Sequence, residues 1–191
     1  MNIVFASQKG GSGKTTLCIH TAVFAASQGF DVAIWDTDPQ GSALAWSNGR
    51  STHPNVTKRQ PTTTATVFID TAPHAEAETA SIIAVADLVI IPVRPSVLDV
   101  HAAMQTVKGV KRISRRSFAV INGALVRQKE IDDVRQLLID AGIEVCPVVI
   151  YNRLSYSRSL EEGQGITEYD PEGIASHEIA SLFSYIQEMA K

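Results

Sequence analysis

Short apolar runs alternate with segments of helical periodicity from one end of this chain to the other. The apolar runs fall at 2–6, 31–36, 66–70, 88–93, 117–121 and 144–150, and each predicts a β-strand. They are nearly continuous in Val, Ile and Leu, the pattern of strands covered on both faces. Between them, apolar residues recur at helical spacing over 15–27, about 74–85, 97–113, 130–141 and 174–190. Gly29 and Gly142 stand where helix C-terminal stops belong. Alternating β and α elements with buried strands predict an α/β fold built on a doubly wound, mostly parallel sheet. The polar, threonine-rich stretch 47–66 is the one long irregular region. No internal repeat or inter-domain linker breaks the pattern, so 1–191 reads as one domain.

Composition narrows the picture without choosing a function. The chain has 191 residues, 45% of them hydrophobic and 19% charged, which describes an ordinary globular protein with a sizeable core. Its formal net charge is −3, so any nucleic-acid contact must come from a local basic patch. Cys18 and Cys146 lie far apart, on a predicted helix and a predicted strand, and read as buried free thiols of a reducing compartment. The first apolar run is too short for a signal peptide, and no run approaches the roughly 18 apolar residues of a membrane span. A cytoplasmic location is expected.

The chemistry begins at Ser7-Gln8-Lys9-Gly10-Gly11-Ser12-Gly13-Lys14-Thr15-Thr16, between the first strand and the first helix. Strand, glycine-rich turn and helix together make a phosphate loop. Glycines let backbone N–H groups curl around phosphate oxygens, and the helix N-terminus adds to that anion site. Lys14 neutralises terminal-phosphate charge, and the Thr15 hydroxyl can hold Mg²⁺. The general pattern wants a glycine at position 8, where this chain has Gln8 and then a second lysine, Lys9. Trp35-Asp36-Thr37-Asp38-Pro39-Gln40 leaves the second strand, placing two carboxylates at the carboxyl edge of the sheet, where open α/β folds bind ligands. Asp38 can also be read as a helix N-cap with Pro39 at the first helical position. Val67-Phe68-Ile69-Asp70 is an apolar strand ending in a carboxylate, the arrangement that holds Mg²⁺ through its water shell.

Lys9-Gly10-Gly11-Ser12-Gly13-Lys14-Thr15-Thr16 resembles the deviant Walker A box of the ParA/MinD family of ATPases. The resemblance continues through Asp36-Thr37-Asp38-Pro39-Gln40, Val67–Asp70 and Ile90-Ile91-Pro92-Val93-Arg94-Pro95-Ser96. It ends in the region of Tyr151, Asn152 and Arg153, with Glu168-Tyr169-Asp170 beyond, and so spans essentially the whole chain. It implies ATP and Mg²⁺ as cofactors, held by residues 9–16 with Thr15, Asp36 and Asp70 around the metal. Lys9 would reach across a dimer interface to the partner's nucleotide, as an arginine finger does. Asp38 would orient the attacking water, and Tyr151 and Asn152 would lie near the adenine. The implied activity is that of a partition ATPase, which dimerises on ATP, binds DNA without sequence preference and is released by hydrolysis. The implied partners are a second copy, DNA and a ParB-like or small adaptor protein, at the nucleoid.

Two departures stand out. Only about thirty residues separate Asp38 from Asp70, so an edge strand is expected to be missing or shortened. No helix-turn-helix precedes Asn2, as in short partition ATPases. For DNA, Lys108, Lys111, Arg112 and Arg115 recur on one face of a helix, with Arg116 adjacent. That face reads first as solvated charge favoured at a helix C-terminus, and alternatively as a phosphate-contacting patch. Arg153 and Arg158 form a second candidate patch. The tail stripe Ile179, Leu182, Phe183 and Ile186 reads as core-facing, against membrane attachment. Two other readings stay open, a positioner of another cargo such as a chemoreceptor cluster or microcompartment, and a phosphate-loop metabolic phosphotransferase.

Overall fold

The computed structural model describes the chain except residues 49, 51, 63, 74, 75 and 114, with side chains left out at 76–78. Seven described strands form one sheet, all parallel: β1 (Asn2–Phe5), β2 (Val32–Asp36), β3 (Asn55–Thr57), β4 (Thr66–Asp70), β5 (Leu88–Val93), β6 (Arg116–Ala124) and β7 (Val145–Tyr151). Their order is β3-β2-β4-β1-β5-β6-β7. The first strand therefore lies mid-sheet, and the phosphate loop leaves it where neighbouring strands β4 and β5 also end.

Helices cover both faces, as the continuous apolar strands require. One face carries α1 (Lys14–Ser27), α2 (Ser42–Ser47), α6 (Leu154–Glu161), α7 (Ile166–Tyr169) and α8 (Ile174–Met189). The other carries α3 (Glu76–Ala84), α4 (Val97–Arg112) and α5 (Glu130–Asp140). Strand residues alternate between these two cores: Ile3 and Phe5 point into the first, Val4 and Ala6 into the second. The stripe Ile179, Leu182, Phe183 and Ile186 on α8 is buried in the first core. Cys18 and Cys146 are both free and buried there too.

The segment expected to be irregular holds more structure than its composition shows. A six-residue α2 and a three-residue β3 lie within it, and β3 pairs with β2 through Ala33–Asn55, Ile34–Val56 and Trp35–Thr57. The edge strand is shortened but present. The expected helix 74–85 is present as α3, and its expected start at His74 falls outside the described residues. Strand β6 runs three residues beyond the expected end, through a bulge at Gly123, because its ladder to β7 continues past the polar Asn122. Helices α6 and α7 were not anticipated, being too short for periodicity to register.

His20 shows how tightly α1 is buried. Its Nδ1 accepts the Ile166 N–H at 3.0 Å, and its ring lies 5.1 Å from that of Tyr156. Burial pushes its pKa down to about 3, so the folded protein keeps it neutral. An unfolded histidine takes a proton near 6.5, so this contribution is intact above that pH and is lost as pH falls toward 3. At pH 5 the loss is about 2 kcal/mol. Urea unfolding at pH 7 and pH 5 should show His20→Asn less stable in absolute terms but flatter in pH dependence than wild type. Equal slopes would rule out His20 as the source.

Candidate functional site

The phosphate loop passes from β1 to α1 over two glycines in left-handed conformations, Gly11 (φ 71°) and Gly13 (φ 97°). Gly13 is required twice over, because a Cβ there would meet the Asn122 amide nitrogen at 2.1 Å. That amide donates to the Ser12 carbonyl at 2.7 Å, so the extended end of β6 buttresses the loop from behind. Helix α1 opens on Gly13 with no side-chain cap and no acid in its first turn. Its N-terminal N–H groups are thus left to an anion.

Gly10, Gly11, Gly13, Lys14, Thr15 and Thr16 line a cavity of about 620 Å³. Asp38 faces it, and Tyr151, Asn152 and Arg153 close its far side together with Leu154 and Tyr156. The structure thus brings the loop, the second acid and the region after β7 into one cavity. Arg94 and Asn122 line it as well, although sequence reading gave them no role. A cation directly after a buried strand, and an Asn-Gly pair ending another, were the available signals. Arg153 is not a free charge, because Nε and Nη2 both donate to Glu178 Oε1, at 2.9 and 2.6 Å.

The acids sit beneath the loop. Asp36 and Asp70 are fully buried and Asp38 nearly so. Asp70 Oδ2 accepts the Thr15 hydroxyl at 2.7 Å, while Asp70 Oδ1 is buried with no hydrogen-bond partner. Burial and the nearby Asp36 and Asp38 lift the Asp70 pKa to about 7, against the opposing pull of Thr15 and Lys14. Lys14 is shifted down by its own burial, with Asp70 and Asp38 pulling the other way. A lone carboxylate oxygen beside a hydroxyl, both hard oxygen donors, fits Mg²⁺. The buried Ser12 hydroxyl also lacks a partner, which suits a phosphate acceptor.

Asp36, expected near the metal's shell, bonds the protein through both carboxylate oxygens. Its Oδ1 accepts from Asp38 N (3.1 Å) and Lys58 Nζ (3.1 Å), and its Oδ2 from Leu44 N (2.9 Å). It organises the turn that carries Asp38. Nor does Asp38 cap a helix, since its Oδ1 accepts the Gln40 N–H at 2.9 Å and α2 starts only at Ser42. Lys9 does not line the cavity. Its Nζ pairs with Asp99 Oδ2 at 2.6 Å, in the first turn of α4, and it remains 41% exposed. Segments that follow β5, β6 and β7 expose apolar side chains at the carboxyl edge: Val97 is 60% exposed, Leu98 75%, Leu125 59%, Val126 65% and Leu154 71%.

The two basic patches lie at opposite edges of the sheet. Lys108, Lys111, Arg112 and Arg115 lie on or just past the last turns of α4, and Arg116 opens β6. Since Arg116 pairs with Leu88 at the start of β5, this cluster marks the amino edge. Lys111 donates to the Gly142 carbonyl at 2.9 Å, Arg115 to that of Ala84, and Arg116 to that of Met189 at 3.2 Å. Arg153 and Arg158 follow β7, at the carboxyl edge beside the cavity. Among the described residues, no helix is long and apolar enough to cross a membrane.

Comparison with known proteins agrees with this geometry. Protein ParA of Rhizobium radiobacter is 26% identical over 183 residues, covering 84% of this chain and 82% of that protein. The maintenance of carboxysome distribution protein A of Gloeobacter kilaueensis is 27% identical over 176 residues, covering 84% and 81%. Among solved structures, the septum site-determining protein MinD of Pyrococcus horikoshii OT3, complexed with Mg-ADP, superposes with a TM-score of 0.83 at 15% identity. That match covers 99% of this chain and 96% of that one. The family model described as CbiA, the CobQ/CobB/MinD/ParA nucleotide binding domain, matches residues 3–166, and the chain belongs to that family.

Proposed function

We propose that this chain is a partition-type ATPase of one domain that cycles between an ATP-bound dimer on DNA and a released monomer. Residues 9–16 take the triphosphate, with Tyr151 and Asn152 toward the base. Thr15 and Asp70 hold Mg²⁺, which neutralises charge on the phosphates when bound. Asp38 orients the attacking water from its own cavity, and Asp36 shapes the turn that presents it.

The observation that carries this reading is the position of Lys9. A lysine inside a phosphate loop that turns away from its own cavity, beside an exposed apolar edge, supports a role toward a second copy. Docking two carboxyl edges face to face covers Val97, Leu98, Leu125, Val126 and Leu154. It also makes hydrolysis conditional on dimerisation, the step that a ParB-like or small adaptor protein accelerates. In such a dimer the basic cluster at the amino edge stays outside and is present twice, so DNA meets two local cationic faces although each chain carries a net charge of −3. The cargo is a plasmid or chromosome, in line with the ParA relative. The carboxysome-distribution relative favours a second cargo class, a protein assembly moved by the same cycle.

The test is binding to a random-sequence DNA duplex with Mg·ATP and with Mg·ADP. Binding should be selective for ATP and fall about 10³-fold between 50 and 200 mM salt if some six phosphates are contacted. A Lys108→Glu, Arg112→Glu double variant should weaken binding to every sequence alike and reduce the salt dependence, with hydrolysis unchanged. Intact ATP turnover with no DNA binding in either state would refute the DNA step and leave a cargo recognised by other means.

A further inference from the structure

Lys58 grips the turn that carries Asp38 from the side away from the nucleotide cavity. It follows the edge strand β3, and its own carbonyl is fixed by the Trp35 indole N–H at 3.2 Å. Its ammonium meets Asp36 Oδ1 at 3.1 Å and also donates to the Asp38 carbonyl oxygen. Its Nζ and Cε lie 3.4 and 3.5 Å from where a Cβ on Gly41 would stand, at the other end of the same turn, where φ is 67°. One side chain therefore bonds the turn at residues 36 and 38 and passes beside residue 41. It lines a second opening with Trp35, Pro39 and Ile82, which shares Asp38 with the nucleotide cavity, and is itself absent from the lining of that cavity. Its contacts therefore reach the cavity through the turn.

We infer that Lys58 is a positioning residue for hydrolysis, fixing the backbone that aims the Asp38 carboxylate at the attacking water; this rests on the ATPase reading above. The Asp38 side chain bends back onto the Gln40 N–H, so the direction of its carboxylate follows the backbone of residues 36–41. The buried carboxylate of Asp36 ties that backbone to β2, and Lys58 ties both to β3. The short edge strand thus has a function, to bring this ammonium to the turn. Arg at 58 keeps a cation and hydrogen-bond donors for the same oxygens, whereas Met keeps only the stem.

The experiment compares Lys58→Met and Lys58→Arg with wild type in ATP turnover, equilibrium ADP binding, thermal unfolding and amide hydrogen exchange over residues 36–44. Lys58→Met should lower kcat about 10- to 100-fold, as small misplacements of reacting groups do, with KM and the ADP Kd within about 2-fold. Exchange at the Asp38 and Leu44 amides should quicken, and Lys58→Arg should restore much of both. Unchanged kcat and unchanged exchange would overturn the proposal. So would kcat, ADP affinity and unfolding temperature falling together, the mark of a merely structural residue. A wild-type chain with no turnover would overturn the ATPase reading itself, and exchange alone would then decide whether Lys58 holds the turn.

Discussion

Replacing Asp70 with Asn should stabilise the nucleotide-free protein while reducing Mg²⁺-dependent hydrolysis about 10²-fold or more. The two effects share one cause. Asp70 is fully buried beneath the phosphate loop, with one oxygen taken by Thr15 and the other unpartnered. Burial, with two further acids nearby, raises its pKa to about 7 from an ordinary 3.8. A carboxyl raised in this way favours the folded state when protonated, below the unfolded pKa. That contribution is lost as pH climbs through the folded pKa. The raised Asp70 pKa should therefore cost the folded protein up to ~4 kcal/mol at pH 8, about 2 at pH 5, where only the unfolded chain ionises it, and little below pH 4. Asn keeps an acceptor for the Thr15 hydroxyl and removes the charge. Its advantage in unfolding temperature should grow from pH 5 to pH 8, and Mg·ADP should raise that temperature less in the variant than in wild type. An Asn variant less stable at pH 8, with no pH-dependent gap, would show that the buried charge is not the source of the cost.

A site can hold such a group because the surrounding sheet over-determines it. Asp70 and Asp36 end adjacent strands in register, and their neighbours Ile69, Phe68 and Ile34 are fully buried. The same continuity made this half of the site readable. A phosphate loop after an apolar run, and acids ending two further runs, are local patterns, and parallel strands must bring their carboxyl ends together. Lys58 was not readable in this way. It follows a three-residue strand in a polar stretch, where neither period 2 nor period 3.6 can register. Asn122 was hidden for another reason: an Asn-Gly pair reads as a turn, yet here it continues β6 through a bulge to reach Gly13. Pro39 pointed to a helix beginning at once, whereas the contacts of Asp36 and Lys58 hold a turn open until Ser42. The basic residues of α4 formed a visible stripe. That they lie across the sheet from Arg153 and Arg158 is a matter of topology, which no single segment contains.

Mixing two inactive variants should restore activity, and the amount restored tests where each residue acts. Lys9→Ala and Asp38→Ala are each expected to lower turnover about 10³-fold, the scale of a lost charge-stabilising finger or water-orienting group. Asp38 lines the cavity formed by its own Lys14 and Thr15, so on the proposed reading it would serve the nucleotide of its own chain. Lys9 is held outside that cavity by Asp99, whose carboxylate is also bonded by Ser96 at the start of α4. To act it must leave Asp99 and cross the interface, exchanging one buried partner for the partner chain's phosphates. In a mixed dimer the Lys9→Ala chain then keeps its own Asp38 and borrows an intact Lys9 from the Asp38→Ala chain. Its site works, and the opposite site lacks both groups. Random pairing of equal amounts makes half of the dimers mixed, with one working site in each, so about a quarter of wild-type turnover should return. If Lys9 acted within its own chain, every site in the mixture would lack one group and nothing would return. The same null result would follow if both residues acted across the interface, and the cavity geometry of Asp38 argues against that. Co-capture of untagged Lys9→Ala by tagged Asp38→Ala in the presence of ATP would show that mixed dimers form, so that silence in the mixture counts against the trans-acting lysine and not against pairing.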